Sequence, residues 1–145
     1  MRFHHIAAQV LLFTVPMFGQ SGIKSLDGEL ANKLKLKENQ STQGSIRLYE
    51  EFEGKFDKEM NNAYSDLMKE LKGPVREAFR RSQKAWLAFR DSQFQAFVSI
   101  ADSREYGSGQ GQIIGMLRMK MVRERAVQLR GYTNGLWGPE GSDAE

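Results

Sequence analysis

One stretch of the chain, from about Ser45 to Leu71, carries apolar residues at strictly helical spacing. The stripe consists of Tyr49, Phe52, Phe56, Met60, Ala63, Leu67 and Leu71. Its intervals of 3 and 4 residues predict one helix of about 27 residues with a single apolar face. Gly73 and Pro74 end it, because glycine suits the position after a helix and proline suits the first turn of the next one.

Two further stripes predict two more helices. The second consists of Val75, Phe79, Ser82, Trp86, Phe89, Gln93, Phe97 and Ile100. The third consists of Ile113, Ile114, Leu117, Met121, Val122, Arg125 and Leu129, and it ends near Gly131. The segment 102–112 between them holds three glycines and breaks the pattern. Upstream, Leu26, Leu30 and Leu34 predict a short helix, followed by a loop over 40–44.

Helices with short connections must bury their stripes on one another. We therefore predict an all-α fold, an antiparallel bundle of three main helices, two of them long and one shorter. The domain plan is a leader over 1–21, a polar segment over 22–44, a helical domain over 45–131 and a flexible C-terminal tail over 132–145. No transmembrane span is predicted, and the long stripes leave a homo-oligomer open.

The first residues resemble an export signal in composition. Arg2 is positive, residues 6–18 are nearly all apolar, and small and polar residues follow from Gly19. An apolar run of about 13 residues is short for a bilayer span, which takes about 20. Cleavage after Gly19 and after Ser21 are both compatible with the sequence, and the alternative is an N-terminal core helix. The signal predicts an exported protein, periplasmic or secreted.

The amino-acid composition limits the kinds of catalytic and metal sites that the chain can form. Both histidines, His4 and His5, lie in the leader, and the chain has no cysteine. Without them the mature chain lacks Ser–His and Cys–His nucleophile pairs and His/Cys zinc sites. We therefore expect a binding protein and not an enzyme, with no cofactor and no metal. Without Arg2 the chain has 20 basic and 18 acidic side chains, a balance too even to favour a nucleic-acid partner.

Three polar blocks carry a resemblance to a known family. They are Gln83-x-x-Trp86-x-x-Phe89-Arg90-Asp91, the block from Asp57 through Asn61 to Tyr64, and Arg123-Glu124-Arg125-Ala126 followed by Leu129. In order and spacing the blocks resemble the lysozyme inhibitor LprI-like N-terminal domain, a family of small exported bacterial helical proteins. The resemblance covers residues 42–130. We call its polar and aromatic positions the signature residues: Asp57, Asn61, Tyr64, Gln83, Trp86, Phe89, Arg90, Asp91, Glu124 and Arg125.

The resemblance implies an exported envelope or periplasmic protein that inhibits lysozyme by protein contact. Its partner would be lysozyme or another envelope protein. The alternative is a structural or interaction module of the envelope without inhibiting activity. An inhibitor of a basic lysozyme gains from an acidic face, which only the acidic first half of the first long helix offers locally. An enzyme using carboxylates such as Asp57 and Glu59 has no specific support in the sequence.

One departure from the family concerns cysteines. The resemblance implies one cysteine after the Arg-Asp pair and one on the last helix, and Phe94 and Leu117 stand at these places. Both replacements are bulky and apolar. We therefore expect packing between helices to replace a disulfide here.

We interpret the signature residues as structural. Trp86, Phe89 and Tyr64 are expected in the core, and Asn61 is expected to bond locally or across helices. Because an unpaired buried charge is costly, we predict that Asp91 pairs with Arg125. Arg90 is expected to pair with Glu124 or with Asp57.

A contact surface for a target is expected elsewhere. Arg104, Glu105 and Tyr106 stand beside flexible glycines in the loop over 102–112, which is either an inserting loop or a plain connector. The last helix carries a basic strip of Arg118, Lys120, Arg123, Arg125 and Arg130. This strip either meets an anionic polymer or lipid headgroups, or is compensated by the acidic first helix.

Overall fold

The computed structural model describes residues 21–103 and 109–136, and within these ranges the chain is all-helical, without strands. The α-helices are α1 (Ser21–Lys33), α2 (Thr42–Glu70), α3 (Gly73–Asp102) and α4 (Gln110–Leu136), with a short 3-10 turn over Lys37–Asn39 before α2. The all-α prediction is confirmed. The division into two long helices and one shorter is wrong, since α4 has 27 residues against 29 in α2 and 30 in α3.

Two helix boundaries differ from their predicted positions. α4 begins at Gln110, so Gly111 lies in a helix and not in the loop, and α4 continues past Gly131 to Leu136. The first residues of the predicted tail, 132–136, are therefore helical. The predicted leader lies outside the described residues except for Ser21, the first residue of α1, and residues 137–145 also lie outside them.

The start of α2 and its turn into α3 follow from local chemistry. Ser41 caps α2 by accepting a hydrogen bond on its hydroxyl from the Gly44 backbone N–H at 3.0 Å. At the other end Gly73 has a φ of 53°, a left-handed conformation that glycine adopts without strain. Pro74 follows in the first turn of α3, as its missing N–H allows.

α2 and α4 run parallel, side by side, and share by far the largest helix interface. A Cβ placed on Gly115 would lie 3.4 Å from the Cβ of Tyr49, near the start of both helices. Near their ends, Arg130 donates to Asp66 at 2.6 Å. Residue numbers thus increase in the same direction along both helices.

α1 and α3 lie antiparallel to this pair. In α1, Lys33 reaches Glu51 at 2.7 Å while Glu29 accepts from Lys55 at 2.6 Å, so numbers rise in α1 as they fall in α2. In α3, the ring of Phe79 lies 5.6 Å from that of Tyr132, near the end of α4. Each helix is therefore antiparallel to its neighbour in sequence.

The core lies between α2 and α4, with α1 over one side. All seven residues of the predicted first stripe are buried, and Phe52, Phe56, Met60, Ala63 and Leu67 are completely so. α4 contributes Met119, Val122, Ala126 and Leu129, and α1 contributes Ile23 and Leu30. The polar segment 22–44 thus supplies part of the same core. No helix in the described ranges is long and apolar enough to cross a membrane.

α3 is packed much more loosely than predicted. Within α3, all of which the structure describes, Gln83 is the one buried residue. Trp86 is half-buried against the core, but the side chain of Phe89 is 55% exposed, so its predicted place in the core is wrong. Three helical residues turn about 300°, so Phe89 lies about 60° around the helix from Trp86. This rotation places its side chain outside the face of α3 that contacts α2 and α4.

We expect Phe56→Ala to lower the free energy of unfolding by about 3–5 kcal/mol, because it removes a completely buried ring and leaves a cavity. Val75→Ala on α3, where the side chain is 53% exposed, should change it by less than about 0.5 kcal/mol. Urea denaturation followed by circular dichroism measures both. Equal effects of the two substitutions would contradict a core confined to α1, α2 and α4.

Candidate functional site: the groove between α3 and α4

An open groove of about 530 Å³ runs between α3 and α4. We call it the α3/α4 groove, and it is lined by Trp86, Phe89, Phe97, Leu117, Lys120, Met121, Glu124, Arg125 and Gln128. Four of these are signature residues, namely Trp86, Phe89, Glu124 and Arg125. The groove exists because α3 contacts α4 over a much shorter interface than α2 does.

The groove lies in the most apolar part of the exposed surface. In the part of the chain that the structure describes, five of the seven exposed large apolar side chains lie on the second half of α3 or the first half of α4. They are Phe89, Val98, Ile100, Ile113 and Leu117. Contiguous exposed apolar surface with a polar rim is typical of sites that contact another molecule.

Arg125 closes the floor of the groove and is only 7% exposed. Its Nε donates to Oε1 of Gln83 at 2.9 Å, a second nitrogen donates to Oε1 of Gln128, and its guanidinium lies 5.5 Å from the Trp86 ring centre. Burial lowers the pKa of Arg125 from its ordinary value, although a guanidinium remains charged at neutral pH. The predicted pairing with Asp91 is wrong, since amide oxygens accept from Arg125 instead.

Arg90 ties α3 to α2. Its NH1 donates to Oδ1 of Asp57 at 3.3 Å, which confirms one of the two predicted partners, and Glu124 is not its partner. Its Nε and NH2 donate to Oδ1 of the adjacent Asp91 at 2.9 and 2.7 Å. The guanidinium also lies 5.8 Å from the Trp86 ring centre. Asp91 therefore holds Arg90 in place for its contact with α2.

The remaining signature residues have simpler surroundings. Asn61 donates to Oδ2 of Asp57 at 3.0 Å, the local bond that was expected. Tyr64 is half-buried against the core, on the side of α2 that faces α3. Glu124 is exposed on the rim of the α3/α4 groove. The signature thus combines residues that hold helices together with residues that line an open surface.

The basic strip of α4 is largely compensated from within the chain. Arg118 donates to Glu53 at 2.9 Å and Arg123 donates to Asp27 at 2.6 Å. Arg130 donates to Asp66, as described above. This confirms compensation by the first long helix for Arg118 and Arg130, whereas Arg123 is compensated from α1. Part of the acidic face of α2 is therefore already bonded within the chain.

Two other expectations have different outcomes. Arg104, Glu105 and Tyr106 lie outside the described residues, so their role as target contacts stays a prediction.

Phe94 is half-buried with its ring centre 4.3 Å from the Arg118 guanidinium, but Leu117 is 38% exposed in the groove. The idea that both side chains replace a disulfide by burial is therefore wrong for Leu117.

The groove was not predicted, although the sequence contained a signal for it. Ser82 and Gln93 interrupt the second stripe, and a helix with polar residues at these positions cannot be buried as deeply as α2. Both remain at least partly accessible in the structure. The exposed apolar residues of α3 follow from this incomplete burial.

The family model described as "Lysozyme inhibitor LprI" matches residues 27–129. The chain belongs to the LprI family. No curated protein and no solved structure matches it. The LprI match runs from α1 into α4 and includes all ten signature residues and every residue that lines the α3/α4 groove. In the described part of the chain, no group of three or more His, Cys, Asp or Glu side chains is placed to hold a metal ion.

A double-mutant cycle tests the bond between Gln83 and Arg125. Gln83→Leu leaves a buried guanidinium short of an acceptor and should cost about 1.5–3 kcal/mol of stability. The double variant Gln83→Leu with Arg125→Met replaces both partners by apolar groups of similar size, which is often nearly neutral. Denaturant unfolding measures all three variants. A double variant whose loss of stability equals or exceeds the sum of the two single losses would refute the coupling.

The contact between Asp66 and Arg130 predicts a dependence of stability on pH. The Arg130 guanidinium, followed by Lys69, lowers the pKa of Asp66 from its ordinary value of 3.8. A carboxyl with a lowered pKa in the folded state stabilises above the unfolded pKa, and this stability is lost as pH falls through the folded pKa. Asp66→Asn should therefore cost about 1 kcal/mol at pH 7, allowing for partial exposure, and progressively less as the pH falls below 3.8.

Thermal unfolding between pH 7 and pH 2 measures this difference. Asn62→Ala, an exposed non-titrating position of α2, is the control and should leave the pH profile unchanged. A constant difference between Asp66→Asn and the parent protein at every pH would show that Asp66 contributes through packing and not through its charge.

Proposed function

We propose that this chain is an exported binding protein that inhibits lysozyme by protein contact through the α3/α4 groove. Membership of the LprI family supports lysozyme as the target. The observation that carries the surface is the 55% exposure of Phe89, a signature aromatic residue that lines the groove. An aromatic side chain that served only to fill the core would be buried.

The lining suits a protein partner. Protein interfaces are typically built from aromatic and methionine side chains at the centre and a polar rim, with a few large residues supplying most of the binding energy. The groove offers Phe89, Phe97 and Met121 as apolar contacts. Lys120 and Glu124 provide charges of both signs at its polar edge.

The electrostatics indicate how this binding would work. Several carboxylates of α2 that could attract a basic lysozyme are bonded to the chain's own cations, as in Glu53 with Arg118 and Asp57 with Arg90. Apolar contact in the groove therefore supplies most of the affinity. Inhibition should depend only weakly on salt, because screening weakens charge attraction and leaves apolar burial intact.

Export is part of the same proposal. The positive start and short apolar run of residues 1–18 support a cleaved leader, with maturation after Gly19 or Ser21. Lysozyme acts on the cell wall, so an inhibitor has to reach the envelope. Localisation to the periplasm or beyond the cell is consistent with that requirement.

A turbidity assay tests the function. Purified residues 22–145 are added to lysozymes of several types acting on bacterial cells. We expect inhibition at micromolar concentration, and Phe89→Ser should weaken it at least tenfold by removing a central aromatic contact. Val75→Ser, which changes an equally exposed apolar residue of α3 away from the groove, is the matched control and should act like the parent protein.

The outcomes separate the two functional interpretations. Absence of inhibition with every lysozyme type would favour the alternative, an envelope interaction module without inhibiting activity. Inhibition that Phe89→Ser and Val75→Ser weaken equally would keep the function and reject the groove as its surface.

A further inference from the structure

Positive charge is concentrated at one end of the molecule. The described residues have 19 basic and 14 acidic side chains, and residues 69–84 alone have six basic and two acidic ones. The basic residues of this segment, which we call the basic end, are Lys69, Lys72, Arg76, Arg80, Arg81 and Lys84. Most of the net charge of the described chain therefore lies where α2 turns into α3.

A cleft of about 380 Å³ opens at the basic end, between α2 and α3. It is lined by Tyr64, Ser65, Met68, Lys69, Arg76 and Arg80. Arg76 and Arg80 are four residues apart, so their side chains lie on the same face of α3. The α2 wall opposite them carries the hydroxyl-bearing residues Tyr64 and Ser65.

These cations differ from the basic residues of α4 in their partners. Arg118, Arg123 and Arg130 each bond a carboxylate on another helix. Arg80, by contrast, has only Glu77 of its own helix, at 3.4 Å. Within the residues that the structure describes, no carboxylate lies within ion-pair distance of Arg76. Its guanidinium is exposed and has its donors available.

We infer that the cleft between α2 and α3 binds phosphate groups, with Arg76 and Arg80 as the principal ligands. A guanidinium presents parallel N–H donors that match two oxygens of one phosphate, and hydrogen bonds between charged groups are the stronger ones. The hydroxyls of Tyr64 and Ser65 can donate to the remaining oxygens. A group with more than one negative charge suits this site, because Arg76 and Arg80 line it together, beside Lys69, which is itself bonded to Asp66 at 3.0 Å.

The phosphate can belong to a lipid headgroup or to a soluble ligand, and two binding measurements distinguish these sources. One is co-sedimentation of residues 22–145 with phosphatidylcholine vesicles, with and without phosphatidylglycerol. The other is titration calorimetry with inorganic pyrophosphate. Binding to the anionic vesicles alone assigns the site to a lipid headgroup, and binding to pyrophosphate alone assigns it to a soluble ligand. Binding to both supports a phosphate site that accepts either source.

The decisive variant is the double substitution Arg76→Gln with Arg80→Gln. Basic residues near an anionic lipid surface each contribute enough that removing two should weaken vesicle binding about 30-fold. Lys35→Gln with Arg47→Gln removes two exposed charges, one in the turn after α1 and one near the start of α2, and should weaken binding less than threefold. Pyrophosphate binding should be lost only in the first double variant.

Two results would overturn the inference: no binding of either probe by the parent protein, or equal loss in both double variants. Circular dichroism checks folding, which the substitutions should not change because neither arginine bonds another helix. The site is independent of the proposed lysozyme contact. Arg76→Gln with Arg80→Gln should inhibit lysozyme like the parent protein, and Phe89→Ser should bind phosphate like it.

Discussion

The parallel contact of α2 and α4 is the constraint on which the rest of the structure depends. Two parallel helices need a connection that returns the chain to its starting end, and α3 provides it. The pair buries complete rings of α2, such as Phe52 and Phe56, in one core with Val122 and Leu129 of α4. α1 covers one side with Ile23 and Leu30. α3 thus connects two helices that already have most of their apolar surface buried, and it needs only a narrow contact with them.

That narrow contact is polar as much as apolar. Arg90 bonds Asp57 across to α2, Gln83 accepts from Arg125 of α4, and Trp86 lies between the two guanidiniums. Directional bonds of this kind fix the register of α3 without burying its full width. The apolar residues of α3 outside the face that contacts α2 and α4, Phe89 among them, then stay exposed. The same residues that attach α3 therefore leave the α3/α4 groove open.

The sequence predicted the parts of the fold that depend on one helix and missed those that depend on a pair. The stripe of α2 is continuous and apolar, so both its helix and its burial could be predicted. α3 has the same period, but its burial depends on how much surface α2 and α4 leave free, which no single-helix pattern contains. The predicted bond between Arg90 and Asp57 is present. The predicted pair of Arg125 and Asp91 is absent, because the distance between them depends on the rotation of α3 about its axis.

The net charge of the chain likewise does not show where charge lies on the surface until the ion pairs are known. The sequence has an almost even balance of basic and acidic residues. In the structure, carboxylates of α1 and α2 such as Asp27, Glu53 and Asp66 are bonded to Arg123, Arg118 and Arg130 in the body of the protein. Among the described residues, the cations of the basic end have no carboxylate partner on another helix; Lys69 bonds Asp66 and Arg80 bonds Glu77, each within one helix. Internal pairing therefore leaves most of the positive charge on one surface, at a distance from the apolar groove, and allows two sites of different chemistry on a small helical protein.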